Sequence, residues 1–179
     1  RLTSAGAIDG TFVDPLITGG IVRDIKINTD GQIYVCGSFT DINSSGYGYI
    51  AKISGGAINP AFGIVTFTGT NISVNSMYIQ LLDGKILIGG KFNTVNGHSS
   101  KNVARLNTDG TVDTTFTSGF DPSESCDVFK VICRDNAAST AADGKIHIGG
   151  NWKKYDYQGK LEEWPRFCRL FNGDYWTIT

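Results

Sequence analysis

The stretch DGKILIGGKF at residues 83–92 decides the fold, because close copies of it occur at two other places in the chain. It appears as DGQIYVCGSF at residues 30–39 and as DGKIHIGGNW at residues 143–152. Self-similarity at a spacing of about 50 to 60 residues indicates a repeat architecture, so we expect the chain to consist of equivalent units.

A second motif alternates with the first. It reads RLTSAGAIDGTF at residues 1–12, KISGGAINPAF at 52–62 and RLNTDGTVDTTF at 105–116, and a degenerate copy begins at Arg169. Two motifs in a fixed order predict a single repeat domain over the whole chain. The repeats lie roughly at 1–50, 51–103 and 104–168, with a partial copy at 169–179.

Each repeat predicts four short strands. In the middle copy these are Val74–Leu81, Lys85–Phe92, Asn102–Asn107 and Thr111–Phe116. No window has the 3.6-residue period of an amphipathic helix, so helix should be nearly absent. The predicted fold class is therefore all-β, with β-propeller blades in the form of about three four-stranded antiparallel meanders. Propellers need about four to eight blades, so three make a partial ring or a fragment of a larger propeller.

Asp-Gly pairs stand between the predicted strands and are the strongest short hairpin signal. We expect positive φ at both residues of each pair, as in a two-residue hairpin turn. The predicted structural turn residues are Asp30, Gly31, Asp83, Gly84, Asp109, Gly110, Asp143 and Gly144.

The two motifs together resemble the delta-60 repeat, a β-propeller repeat, over almost the whole chain. Here Cys36 stands where the other copies have the first glycine of a pair. That family is found in secreted bacterial proteins and in bacteriophage virion proteins such as tail and fibre components. The resemblance implies a structural or binding module, and it supplies no catalytic residues.

Residues that recur in every copy are most simply residues of the fold. The Gly89-Gly90 pair predicts a close approach of neighbouring blades or a β-bulge. Arg1 with Asp9, and Arg105 with Asp113, share a spacing that predicts a hydrogen-bonded pair across a hairpin; an anion site at Arg105 is the alternative. Other residues predicted to be structural for the same reason are Gly149, Gly150, Phe39, Phe92, Trp152, Phe12, Phe62 and Phe116.

Long connections predict the binding surface. In a simple meander the Asp-Gly hairpins lie on one face of the disc, and the long connections lie on the opposite face, where binding usually occurs. Aromatic side chains there can stack on sugars or anchor a protein partner, or they simply cap the blade ends. The candidate binding residues in these connections are Tyr47, His98, Tyr155, Tyr157 and Trp164.

The four cysteines, Cys36, Cys126, Cys133 and Cys168, have no C-x-x-C spacing, which makes zinc improbable. In an extracellular protein Cys126 and Cys133 could form a local disulfide, and the sequence leaves the connectivity open.

Composition excludes several classes of protein. The formal net charge is −1, with 16 basic and 17 acidic side chains, which argues against a nucleic-acid binder. No apolar run is long enough for a membrane span. No catalytic, phosphate-loop or calcium-loop motif occurs, so we expect no enzyme activity, no metal and no cofactor.

These observations predict a non-catalytic structural or adhesion module of a bacteriophage virion, located in a tail, fibre or appendage. Its expected partners are other virion subunits or further blades of the same protein, in an oligomeric assembly, together with a host-surface glycan. The alternative is a secreted or cell-surface bacterial binding protein. A third hypothesis, an enzyme with its site in the central channel, has no motif to support it.

Overall fold

The computed structural model describes residues 1–117, 126–134, 145–151, 155–157, 160–162 and 167–170. All regular secondary structure in these residues is β-strand, and they contain no helix, in agreement with the sequence pattern. The strands are β1 (Ile17–Thr18), β2 (Val22–Ile27), β3 (Ile33–Gly37), β4 (Asp41–Ile42), β5 (Ile50–Ser54), β6 (Ala57–Ile58), β7 (Phe67–Thr68), β8 (Ser73–Ile79), β9 (Ile86–Lys91), β10 (Thr94–Val95), β11 (His98–Ser99), β12 (Val103–Leu106), β13 (Asp127–Arg134), β14 (Lys145–Asn151), β15 (Tyr155–Tyr157), β16 (Lys160–Glu162) and β17 (Phe167–Leu170).

Three larger antiparallel sheets form the body of the molecule, and we call them blades 1, 2 and 3. Blade 1 has the strand order β2-β3-β5-β6, blade 2 the order β8-β9-β12, and blade 3 the order β13-β14-β17. Each blade is therefore a meander in chain order. The sequence repeats and the blades have different starting points, since position 51 lies inside β5 and position 104 lies inside β12.

The fourth strand of blade 2 is shorter than predicted. Instead of a strand over Thr111–Phe116, the structure has a single antiparallel bridge between Leu106 and Val112. The pairing ends after Asp113, whose backbone N–H still donates to the Arg105 carbonyl at 2.8 Å. The Asp113 carboxylate then accepts hydrogen bonds from both the backbone N–H and the hydroxyl of Thr115. Such a local side-chain bond favours a turn over an extended strand.

The Asp-Gly corners differ from the expected two-residue turn. Positive φ occurs at the glycine of each described pair but not at the aspartate, for example 75° at Gly31. The Asn28 N–H donates to the Gln32 carbonyl at 3.0 Å, so the turn is longer, with a left-handed glycine. The two-residue turn with two positive φ values lies instead at Gly55-Gly56. Asp143 and Gly144 lie outside the described residues.

Each blade has a β-bulge at the same place in its first strand. The pairing of the first and second strands skips one residue in every blade, and the skipped residues are Arg23, Asn75 and Phe129. A bulge bends the strand and redirects a side chain, and the bulge residue is not opposed by a partner. At these three equivalent positions, the bulge interrupts the regular alternation of side chains between the two faces of the sheet.

Blades pack closely face to face. A Cβ atom at Gly89 of blade 2 would lie only 2.5 Å from Cγ1 of Val131 in blade 3, so the glycine permits the predicted close approach. Phe62, predicted to be structural, is fully buried and meets the ring of Tyr34 edge-on at 5.6 Å. Cys36 is buried in the same cluster as these two rings.

Burial raises the pKa of the Cys36 thiol. Phe39 and Phe92 are buried as predicted, whereas Trp152 lies outside the described residues.

Cys126 and Cys133 do not form a disulfide with each other, and both side chains are buried. Cys126 directly precedes β13 and Cys133 lies near the end of that strand. An extended strand rises about 3.3 Å per residue, so seven residues separate the two Cα atoms by roughly 20 Å, far beyond the reach of a disulfide. The extended strand between the two cysteines therefore prevents the bond.

Candidate functional site

The small sheets hold the long connections against the blades. Strand β4, between the second and third strands of blade 1, pairs with β1, which leads into that blade. In blade 2, β10 pairs with both β7 and β11. The connections predicted to carry binding residues are thus partly ordered as strands.

Tyr47 and His98 lie on these equivalent connections but play different parts. Tyr47 is half-buried and packs against the cluster that contains Phe39 and Ile42, so it covers one end of blade 1. His98 is exposed on β11, opposite Val95. The structure does not bring Tyr47 and His98 together, and the position of Tyr47 agrees with the capping interpretation.

The remaining candidates belong to the third blade. Tyr155 and Tyr157 lie in β15, which forms a hairpin with β16 between the second and third strands of blade 3. Trp164 lies outside the described residues. The backbone of this connection is thus a strand pair, and binding by Tyr155 and Tyr157 stays a prediction.

The predicted separation of short and long connections is incomplete. Gly63, in the connection from blade 1 to blade 2, donates its N–H to the Asp109 carbonyl at 2.8 Å. The Asn96 side-chain amide donates to the Gly110 carbonyl at 3.2 Å. Two long connections therefore reach the Asp109-Gly110 corner, because they fold back along the blades instead of projecting away.

Arg105 and Asp113 form the predicted pair, with Arg105 Nε donating to Asp113 Oδ2 at 2.7 Å. Lys85 Nζ donates to the same oxygen at 2.9 Å. Burial alone would raise the pKa of Asp113, but hydrogen bonds from Thr115 and Lys85 and the charge of Arg105 outweigh it and hold the pKa below its ordinary value. Since Arg105 is buried against this carboxylate, the alternative of an anion site there is wrong.

First strands of neighbouring blades are joined by one repeated contact. The backbone N–H of Met77 in blade 2 donates to Asp24 Oδ2 in blade 1 at 3.0 Å. The backbone N–H of Val131 in blade 3 donates to Ser76 Oγ in blade 2 at 3.3 Å. Asp24 and Ser76 each follow the bulge residue of their own strand, so the bulge sets the position of the side chain that accepts the next blade.

Asp24 also collects positive charge from two blades. Lys26 Nζ lies 2.6 Å from one carboxylate oxygen and Lys130 Nζ of blade 3 lies 3.7 Å from the other. Burial raises the pKa of Asp24, but the hydrogen bonds from Lys26 and the Met77 N–H, with the charges of both lysines, lower it overall. A contact from blade 3 to blade 1 means that the three first strands converge on a common centre.

At this centre lies a cavity of about 540 Å³, which we call the inner cavity. Its wall includes the bulge residue of every blade, and its polar and aromatic members are Arg23, Asn71, Ser73, Asn75, Lys91, Asp127 and Phe129. The cavity opens where β9 ends and β13 begins, the strand ends from which the long connections leave. Its volume is typical of a small-molecule site.

The side chains of the inner cavity differ in whether they form hydrogen bonds or ion pairs with other residues of the protein. Asn75 donates its amide to the Val128 carbonyl at 2.9 Å. Lys91 Nζ lies 3.8 Å from Asp127 Oδ1, and that oxygen accepts no hydrogen bond from any described residue. The Arg23 side chain is exposed and forms neither a hydrogen bond nor an ion pair within the described residues.

The inner cavity was not predicted from the sequence, although the sequence contains a signal for it. Arg23, Asn75 and Phe129 each follow a valine at the same place in their repeats, yet they belong to three different chemical types. A position that the fold requires to be one residue type would hold that type in every copy, so residues that differ between copies can serve another role. Their shared position on the cavity wall could not be predicted, because a β-bulge cannot be located from side-chain alternation alone.

No other site chemistry is evident in the described residues. Among them, no three His, Cys, Asp or Glu side chains lie close enough together to hold a metal ion. None of the described residues forms a helix long and apolar enough to cross a bilayer.

Comparison with known proteins gives one match. Residues 29–55 and 81–116 match the model of a domain of unknown function, the DUF5122 beta-propeller. These segments contain the second and third strands of blades 1 and 2, so the match falls on the repeated meander. It supports a β-propeller repeat family, in agreement with the three antiparallel blades. No curated protein and no solved structure matches the chain.

Proposed function

We propose that this chain is a non-catalytic structural and adhesion module of a bacteriophage virion, within a tail, fibre or appendage. The location rests on the resemblance of its motifs to the delta-60 repeat. The proposed mode of assembly rests on one structural observation, the uncovered face of blade 1.

The uncovered face of blade 1 consists of residues whose counterparts in the other blades are buried or partly buried. Ile25 is 56% exposed, whereas Met77 and Val131, at the same position of blades 2 and 3, are 0% exposed. Met77 lies in one buried cluster with Tyr34 and Cys36 of the preceding blade. Ile27, two residues further on the same face of β2, is also exposed. Blade 1 therefore presents the surface on which a preceding blade would pack.

Backbone hydrogen bonding supports the same partner. In blades 2 and 3 the N–H at this position donates to a side chain of the preceding blade. In blade 1 the equivalent N–H, that of Ile25, donates to the adjacent Asp24 carboxylate at 2.9 Å. The partner is thus a further blade of this repeat, from the same protein or from a neighbouring subunit, with an acceptor side chain after its bulge.

Light scattering coupled to size-exclusion chromatography tests this assembly. The purified chain should associate at tens of micromolar, and the double variant Ile25→Lys/Ile27→Lys should be monomeric, because two charges on the face oppose burial. Ile64→Lys, at an exposed isoleucine of the connection between blades 1 and 2, is the matched control and should associate like the parent chain. A stable monomer of the unaltered chain would overturn the proposed assembly.

Immunogold electron microscopy tests the location. Antibodies against this chain should label tails or appendages of phage particles produced by the host that carries the gene. Labelling of the bacterial surface in the absence of particles would instead favour the alternative, a secreted or cell-surface bacterial binding protein.

A further inference from the structure

We infer that the inner cavity binds a carboxylate-bearing sugar, such as a terminal uronic or sialic acid of a surface glycan. The inference rests on the proposed adhesion function and specifies its ligand. It places binding at the convergence of the three blades, away from the loop aromatics Tyr47 and His98.

Arg23 supplies the anion-binding group. Its bulge position turns it onto the cavity wall, and it makes no hydrogen bond or ion pair to any other described side chain. A guanidinium presents donors in a planar fork that matches the two oxygens of a carboxylate. An exposed arginine held on a cavity wall without a protein partner is therefore suited to a ligand carboxylate.

Phe129 supplies an apolar surface on the same wall. It is the bulge residue of blade 3, and the residue is 55% exposed although large aromatic residues usually gain most from burial. A ligand with one apolar face, such as the C–H face of a pyranose ring, would cover it. Phe129 thus selects for a ring attached to the anion, in preference to a small free anion.

Asp127 and Asn71 supply groups for hydroxyls. One carboxylate oxygen of Asp127 is buried, yet the side chain as a whole is 31% exposed, so the remainder faces outward. A carboxylate accepts hydrogen bonds from hydroxyl groups, and an amide both donates and accepts. Lys91 Nζ lies 3.8 Å from Asp127 Oδ1, so among the described residues of the wall only Arg23 carries a positive charge that no nearby carboxylate balances. This favours a singly charged acid over a phosphate ester with two charges.

Isothermal titration calorimetry on the purified chain tests the inference with 3′-sialyllactose and a glucuronic-acid-terminated disaccharide as probes, and lactose as the neutral comparison. We expect at least one acidic probe to bind about tenfold more tightly than lactose, the ratio for one charge-assisted contact. Arg23→Gln should abolish that preference. Arg1→Gln removes the same charge from an exposed site outside the cavity wall and should leave it unchanged.

Equal affinity for lactose and the acidic sugars, loss of the preference in both variants, or no binding would each overturn the inference. Tight binding of adenosine monophosphate without binding of acidic sugars would overturn it in favour of a nucleotide site. These outcomes are separate from a failure of the proposed function, because immunogold labelling and light scattering do not depend on the cavity.

Discussion

The hairpins at residues 1–12 and 105–116 have the same local structure in different surroundings. In each, an arginine Nε lies 2.7 Å from an aspartate oxygen, namely Arg1 to Asp9 and Arg105 to Asp113. Each arginine also lies over a phenylalanine ring, at 5.4 Å and 5.2 Å. Local sequence alone therefore builds this corner.

What differs between the two hairpins is what covers them. Leu106 is 0% exposed within the core shared by blades 1 and 2, whereas Leu2, at the same place in its hairpin, is 64% exposed. Asp113 receives an additional bond from Lys85, which directly precedes β9, whereas among the described residues Asp9 is bonded only within its own hairpin. The motif therefore determines the local geometry of the hairpin, and tertiary packing determines how much the hairpin contributes to the free energy of unfolding.

The largest expected effect comes from the buried leucine. Leu106→Ala should lower the free energy of unfolding by about 2 to 5 kcal/mol, because it removes buried methyl groups and leaves a cavity. Leu2→Ala should change it by less than about 0.5 kcal/mol, since the side chain is exposed. Urea unfolding followed by tryptophan fluorescence measures both. Equal losses would mean that the first hairpin is packed as tightly as the second.

A smaller difference should separate the two aspartates. Asp113→Asn should lower the free energy of unfolding by about 2 kcal/mol, because Arg105 is left buried without its charged partner. Asp9→Asn should have a much smaller effect, since its pair with Arg1 is exposed and screened by salt. The same urea experiment at low and high salt checks this. A larger loss in Asp9→Asn would contradict the role of packing.

The smallest expected effect is a change in pH dependence. Hydrogen bonds from Thr11 and the neighbouring Arg1 lower the pKa of Asp9 to about 2, and the pKa of Asp113 is lowered as well. The unfolded chain then binds protons that the folded chain does not, so stability is full above about pH 4 and is lost as pH falls below it.

Urea midpoints between pH 7 and pH 2 measure this loss. Asp113→Asn should flatten the profile more than Asp9→Asn, because only the bonds to Asp113 include one from outside its own hairpin. Parallel profiles for the two variants would show that both carboxylates act through local bonds alone.

Much of the fold was accessible from the sequence because it depends on neighbours along the chain. Repetition and strand alternation predict the all-β meanders, and the Arg105–Asp113 pair follows from spacing within one hairpin. The expected φ at Asp30 was wrong, since Asn28 also bonds within that turn and lengthens it. The candidate site was inaccessible for a related reason, because Arg23 becomes a cavity residue through a bulge that alternation does not reveal.

The repeating units, their strands and the local geometry of their hairpins follow from the sequence, because short-range hydrogen bonds and side-chain alternation act within a few residues. Only the tertiary structure decided which copies of a motif are buried, where the bulge residues meet, and that Lys130 of blade 3 reaches Asp24 of blade 1. Burial of a residue depends on which blade covers its face of the sheet. Equivalent residues of similar repeats therefore differ in exposure when their blades pack against different neighbours.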